Sequence, residues 1–78
     1  METKNEKFAR LASARTQAIL EQIRVFNHLS NTSNYEYDAV QVQELFKILE
    51  KNIRSSKRLF LEGIEKQELK KMEKKDDE

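Results

Sequence analysis

The chain has 78 residues, with 15 Lys and Arg, 14 Asp and Glu, and a formal net charge of +1. It contains one Gly and no Pro, Cys or Trp, which excludes disulfides, thiolate metal sites and cysteine nucleophiles. No run approaches the roughly 18 apolar residues of a membrane span, and residues 1–7 lack the apolar segment of a secretory signal. We therefore expect an all-α, cytoplasmic protein of one domain.

The first predicted helix covers about residues 4–30. Its apolar residues recur at steps of three and four, so they share one face of an amphipathic helix. They are Phe8, Leu11, Ala12, Ala18, Ile19, Ile23, Phe26 and Leu29. The polar run 30–34 predicts its end, because Ser, Thr and Asn side chains bond to nearby backbone and Asn tolerates the left-handed conformation that ends many helices.

The second predicted helix starts at residue 39. Asp38 and Gln41 have the spacing of a capping box, and Ser33 with Glu36 forms a rival, earlier one. We favour Asp38 because the apolar period begins just after it. Tyr37 would then occupy the first position of a hydrophobic staple, with Val42 as the second.

The second helix is predicted to run over 39–64 or longer. Its apolar face comprises Val42, Leu45, Phe46, Leu49, Ile53, Ser56, Leu59, Phe60, Gly63 and Ile64. The opposite face carries four cations that we term the basic row, namely Lys47, Lys51, Arg54 and Arg58. Beyond residue 64 the apolar period fades, so we predict a domain over 1–64 and a charged helical extension with a flexible acidic tail over 65–78, the tail being 76–78.

Two helices with a short connection predict an antiparallel hairpin. A chain of this length buries only about 60% of its unfolded surface and is marginal alone. The apolar stripe is also too large for one hairpin to cover. We therefore expect a homodimer in which two hairpins form a four-helix bundle.

One level of this hairpin is predicted to be polar. Arg15 interrupts the apolar face of the first helix, and the hairpin register places it opposite Asn52 and Ser56. Such a polar layer lowers stability and specifies register or oligomeric state. The alternative is that Arg15 extends its charge to the edge and packs only its stem.

The scarcity of residues that commonly carry catalysis favours a protein that is not an enzyme. His28 is the only histidine, and its place near a helix end is explained by the helix dipole. We predict no catalytic residue, no metal or cofactor site, and no small-molecule substrate. The carboxylates Glu62, Glu65 and Glu68 lie among lysines and are interpreted as solvated ion pairs.

The basic row is the candidate nucleic-acid contact, since each cation can neutralise a phosphate. The competing interpretation, which we favour, is a solvated face neutralised by Glu44, Glu50 and Glu62 at spacings of three and four. Residues 44–62 hold five cations and three anions, a smaller excess than strong duplex binders show.

The connection supplies the candidate contacts for a protein partner, Asn34 and Tyr35. Tyrosine is enriched at interfaces because it combines contact area with a polar tip. The alternative is structural, since Tyr35 and Tyr37 could cap the end of a two-helix core. The function predicted from these residues is a small non-enzymatic interaction or regulatory module acting as a helical dimer.

Residues 8–16 (FARLASART) and 27–37 (NHLSNTSNYEY), with the amphipathic helix that follows, resemble a group of short uncharacterised bacterial proteins, many from Gram-positive bacteria or mobile elements. The shared pattern is an Arg-bearing helix and an N-x-L-S-N-x-S-N-Y-x-Y connection, and it covers about residues 8–60. The resemblance implies a small helical fold, and it implies no activity and no functional residues. It adds one alternative function, an inhibitor of a larger host or phage machine.

Overall fold

The computed structural model describes the backbone of residues 1–76 and the side chains of residues 1–72. Helix α1 spans Lys4–Asn27, a single 3₁₀ turn spans His28–Ser30, and helix α2 spans Ala39–Asp76. No strand occurs within residues 1–76. The prediction of an all-helical chain with two principal helices is confirmed. The helices belong to separate structural units, Met1–Glu36 and a second that begins at Tyr37.

Helix α1 begins at a capping box that our sequence analysis missed. The hydroxyl of Thr3 accepts a hydrogen bond from the backbone amide of Glu6 at 3.0 Å, and the Glu6 carboxylate accepts one from the Thr3 amide at 3.1 Å. Thr3 has the extended backbone expected of an N-cap. The signal was present in the sequence, because Thr and Glu stand three residues apart just before the helical period.

Helix α1 ends by tightening its last turn. The Ser30 hydroxyl donates to the carbonyl of Asn27 at 2.7 Å, and the amide of Asn31 donates to the carbonyl of His28 at 3.3 Å. These bonds satisfy carbonyls that a helix end leaves without partners. Asn31 itself is extended, and no described residue has a positive φ. The expectation of a left-handed Asn at this end is wrong, because the 3₁₀ turn takes its place.

Helix α2 begins where the favoured capping box predicts. The Asp38 carboxylate accepts from the Gln41 amide at 2.8 Å, and the Gln41 side-chain oxygen accepts from the Asp38 amide at 3.1 Å. The rival box at Ser33 and Glu36 is wrong, since both residues precede the helix. Two reciprocal bonds satisfy two amides of the first turn and set the starting residue.

Helix α2 continues 12 residues past Ile64, to Asp76. Its 38 residues correspond to a length of about 57 Å. The continuation follows from its composition, because Glu, Lys, Gln, Leu and Met are strong helix formers and no Pro interrupts them. Asp76, the first residue of the predicted tail, belongs to the helix, and the rest of that tail, residues 77 and 78, lies outside the described residues. The division into domains at residue 64 stays a prediction.

The apolar residues of both helices remain accessible. Among the described residues none is buried, and Ile19 of α1 and Ile53 of α2 are 60% and 64% exposed. The cause is local, since each unit contains one long helix and an amphipathic helix needs a second layer to cover its apolar face. Within residues 1–76, neither helix combines the length and the hydropathy that a membrane span requires.

Candidate interaction surfaces

The connection between the helices is organised by Asn31. Its side-chain oxygen accepts from the amide of Ser33 at 2.9 Å. Its backbone carbonyl accepts from the amides of Asn34 and Tyr35, at 3.2 and 3.0 Å. Asparagine suits this position because its side chain mimics a backbone turn. The two predicted partner-contact residues are therefore held through their backbones.

Asn34 and Tyr35 present their side chains to solvent. Both residues are exposed, and Tyr35 retains 48% of its accessible surface. A tyrosine on a backbone that is already hydrogen-bonded loses little conformational entropy on binding, which suits a contact residue.

Tyr37 is also exposed, and Val42 is partly buried. The hydrophobic staple and the capping role of the tyrosines stay predictions.

All four members of the basic row are exposed on α2. At 100° per residue they lie within an arc of about 60°. Within the described residues, none of the four forms an ion pair within 4.0 Å. The interpretation of the row as a solvated face whose charge is offset by Glu44, Glu50 and Glu62 stays a prediction. The i,i+3 and i,i+4 spacings bring such side chains within reach, but an exposed pair gains too little to be held in one geometry.

The same result holds for the acidic residues that follow the row. Glu62, Glu65 and Glu68 form no ion pair with another described residue, which corrects their interpretation as solvated ion pairs with lysines. Helix α2 therefore presents exposed charges of both signs that are unpaired among the described residues.

The ion pairs of the described residues both involve α1. Arg10 holds Glu2 through two parallel bonds of 2.9 and 3.1 Å, and Arg24 contacts Glu21 at 2.7 Å. The bidentate contact raises the pKa of Arg10 above its ordinary value. It ties the residue before the N-cap to the second turn of the helix.

The three residues of the predicted polar layer are all exposed. Asn52 donates its side-chain amide to the carbonyl of Ile48 at 2.8 Å, a bond within its own helix. Its side-chain oxygen stays available as an acceptor. Arg15 belongs to the first unit, whereas Asn52 and Ser56 belong to the second, so the layer stays a prediction.

Among the described side chains, no three His, Asp or Glu converge in a way that could hold a metal ion. His28 opens the 3₁₀ turn, where its carbonyl accepts the Asn31 amide. The perturbed carboxylate is Glu6, whose pKa is lowered first by the hydrogen bond from the Thr3 amide and then by that from the Thr3 hydroxyl. That perturbation is explained by helix capping.

Comparison of the chain with protein-family models, with curated proteins and with solved structures found no match. No functional residue is therefore transferred to this chain from another protein. The candidate surfaces are the two apolar faces, the basic row and the connection at Asn34 and Tyr35.

Proposed function

We propose that this chain is a non-enzymatic interaction module that works as a homodimer, with each chain forming an antiparallel hairpin and two hairpins forming a four-helix bundle. The observation that carries the proposal is the exposure of the apolar face of α2. Seven of its eight large side chains keep at least 42% of their accessible surface. Covering such a face is worth on the order of 10 kcal/mol before entropy is subtracted.

The width of that face supports a second chain as its cover. Its residues, from Leu59 to Ile64 around the helix, occupy an arc of about 140° at 100° per residue. One neighbouring helix covers a narrower stripe, whereas a helix in a four-helix bundle contacts two neighbours. Helix α1 provides one neighbour, and a helix from a second copy provides the other.

The dimer is tested by light scattering and circular dichroism with a matched pair of variants. Ile53→Asp places a carboxylate on the apolar face, and Ile48→Asp places the same carboxylate on another face of α2. Both isoleucines are similarly exposed, at 64% and 60%. We expect Ile53→Asp to give a monomer mass with reduced helicity and Ile48→Asp to resemble the parent. A parent protein that is a fully helical monomer at tens of micromolar would contradict the proposal.

A second candidate function, a nucleic-acid-associated accessory protein, is supported by the unpaired state of the basic row among the described residues. Four phosphate contacts predict a slope of log affinity against log salt of about −3 to −4. Lys51→Glu with Arg54→Glu is expected to flatten that slope. Lys66→Glu with Lys70→Glu makes the same charge change off the row and serves as the control. Equal slopes for both double variants would argue against phosphate contacts.

A further inference from the structure

The basic row is the first half of a longer pattern on α2. Continuing its alternating steps of four and three residues from Arg58 leads to Leu61, Glu65, Glu68 and Met72. We call the basic row together with these four residues the charged stripe. All eight are exposed, and α2 is helical throughout them. Such alternation is the heptad spacing by which one helix packs along another.

The charges of the stripe are segregated. Cations fill positions 47–58, and carboxylates occupy positions 65 and 68. Lys51 has Lys47 and Arg54 as helical neighbours and no acid at three or four residues in either direction. Glu65 has Glu62 and Glu68 at those distances and no cation. Like charges at these spacings destabilise an isolated helix, so a partner of opposite charge order would relieve both blocks.

We propose that the charged stripe binds the same stripe of a second copy, with the two α2 helices antiparallel. The alternating steps of four and three residues are the same when the stripe is followed from either end, so two antiparallel stripes can lie in register. Arg54 then meets Glu65 of the partner subunit, and Lys51 meets Glu68 of the partner subunit. Two-fold symmetry makes each contact twice, which gives four charge pairs. A parallel, in-register arrangement places cation against cation and is disfavoured.

The apolar members of the stripe fit the same register. Leu61 lies against Arg58 of the partner subunit, and Met72 lies against Lys47 of the partner subunit. Long cationic side chains cover apolar groups with their stems while the charge stays in water. Leu61 and Met72 are 51% and 62% exposed, so both are accessible for this contact. The paired region covers 26 residues of each α2, about 39 Å.

This contact differs from the apolar dimer of the proposed function and does not rest on it. The apolar face and the charged stripe lie on opposite sides of α2. The stripe joins copies through charges, so its strength falls with salt, whereas burial of the apolar face is strengthened by excluded salts. High salt therefore weakens association through the charged stripe and leaves association through the apolar face in place.

The test is sedimentation velocity on nuclease-treated full-length protein at about 0.1 M and about 1 M NaCl, where the Debye length falls from about 10 to about 3 Å. The variants are Arg54→Glu, Glu65→Arg and their combination. We expect each single variant to weaken the salt-sensitive association about tenfold. We expect the double variant to restore it. Lys66→Glu has the same charge change as Arg54→Glu but lies off the stripe, and it should behave like the parent.

The decisive sample is a 1:1 mixture of the two single variants. In a dimer of either single variant, position 54 and position 65 of the partner subunit carry the same charge. In a dimer of one copy of each variant, both contacts join opposite charges, one in the native order and one reversed. Recovery of association in the mixture, together with recovery in the double variant, supports a contact between position 54 and position 65 of the partner subunit. Absence of recovery in both the mixture and the double variant would overturn the proposal, as would equal masses at the two salt concentrations. Circular dichroism checks that each variant is helical, and Ile53→Asp reports separately on the apolar dimer.

Discussion

Two capping boxes set the starting residues of the helices. Thr3 with Glu6 and Asp38 with Gln41 each form two reciprocal hydrogen bonds, in which the side chain of one residue accepts from the backbone amide of the other. Such bonds connect residues three apart, so they depend on local sequence and little else. Asp38 was predicted on that basis, and Thr3 could have been, because the same spacing precedes α1.

Thr3→Ala is expected to destabilise α1 by about 0.5–2 kcal/mol, because it leaves the Glu6 amide in the first turn without its side-chain acceptor. Thr3→Ser retains the hydroxyl and is the matched control. Helicity measured by circular dichroism during urea titration checks the difference between the two variants. Equal midpoints for Thr3→Ala and Thr3→Ser would show that the hydroxyl does not contribute.

The start of α1 is expected to weaken in acid. The pKa of Glu6 is lowered in the folded chain, because the Thr3 amide and hydroxyl bond to its carboxylate. The stabilisation is therefore complete above the unfolded pKa of about 4.3 and is lost as pH falls through the lower folded pKa. Titration of the Glu6 side-chain carbon by NMR checks this value. In Thr3→Ala the pKa should move back toward the ordinary one, and an unchanged pKa would contradict the assignment.

At the scale of elements, α2 is a continuous helix with a glycine inside it. Gly63 lies on its apolar face and is partly buried, and a Cβ added there meets nothing within 4 Å apart from its chain neighbours and the adjacent backbone of its own helix. Nothing within the described chain requires this residue to be glycine. Its lack of a side chain therefore helps packing only where another helix approaches this face.

Gly63→Ala is expected to raise the intrinsic stability of α2 by about 1 kcal/mol, the difference in helix propensity between the two residues. Thermal unfolding followed by circular dichroism measures the change. Ser55→Ala, away from the apolar face, controls for the general effect of an alanine in the helix. A loss of stability at Gly63 with a normal response at Ser55 would indicate a close helix contact in the assembled dimer.

At the scale of the whole molecule, the proposed dimer predicts that stability depends on concentration. Because association stabilises only the folded state, a tenfold increase in protein concentration should raise Tm. Scanning calorimetry at several concentrations measures this. A Tm independent of concentration would place the stability within a single chain. The Tm values should be measured at high salt, because salt screens association through the charged stripe.

The amino-acid sequence by itself determined the helical class, both apolar faces, and the boundary at Asp38. Each depends on residues three or four positions apart, which the chain brings together wherever it is helical. The three-dimensional structure decided how α1 ends at Asn27 in a 3₁₀ turn, how far α2 continues, and which charges pair. These features depend on backbone angles and side-chain rotamers whose alternatives differ little in free energy. The 3₁₀ turn replaces a left-handed Asn, and the described charges of α2 form no ion pair, whereas Arg10 and Arg24 of α1 do. The free energy of an exposed pair is too small for the spacing of the residues alone to decide which pairs form.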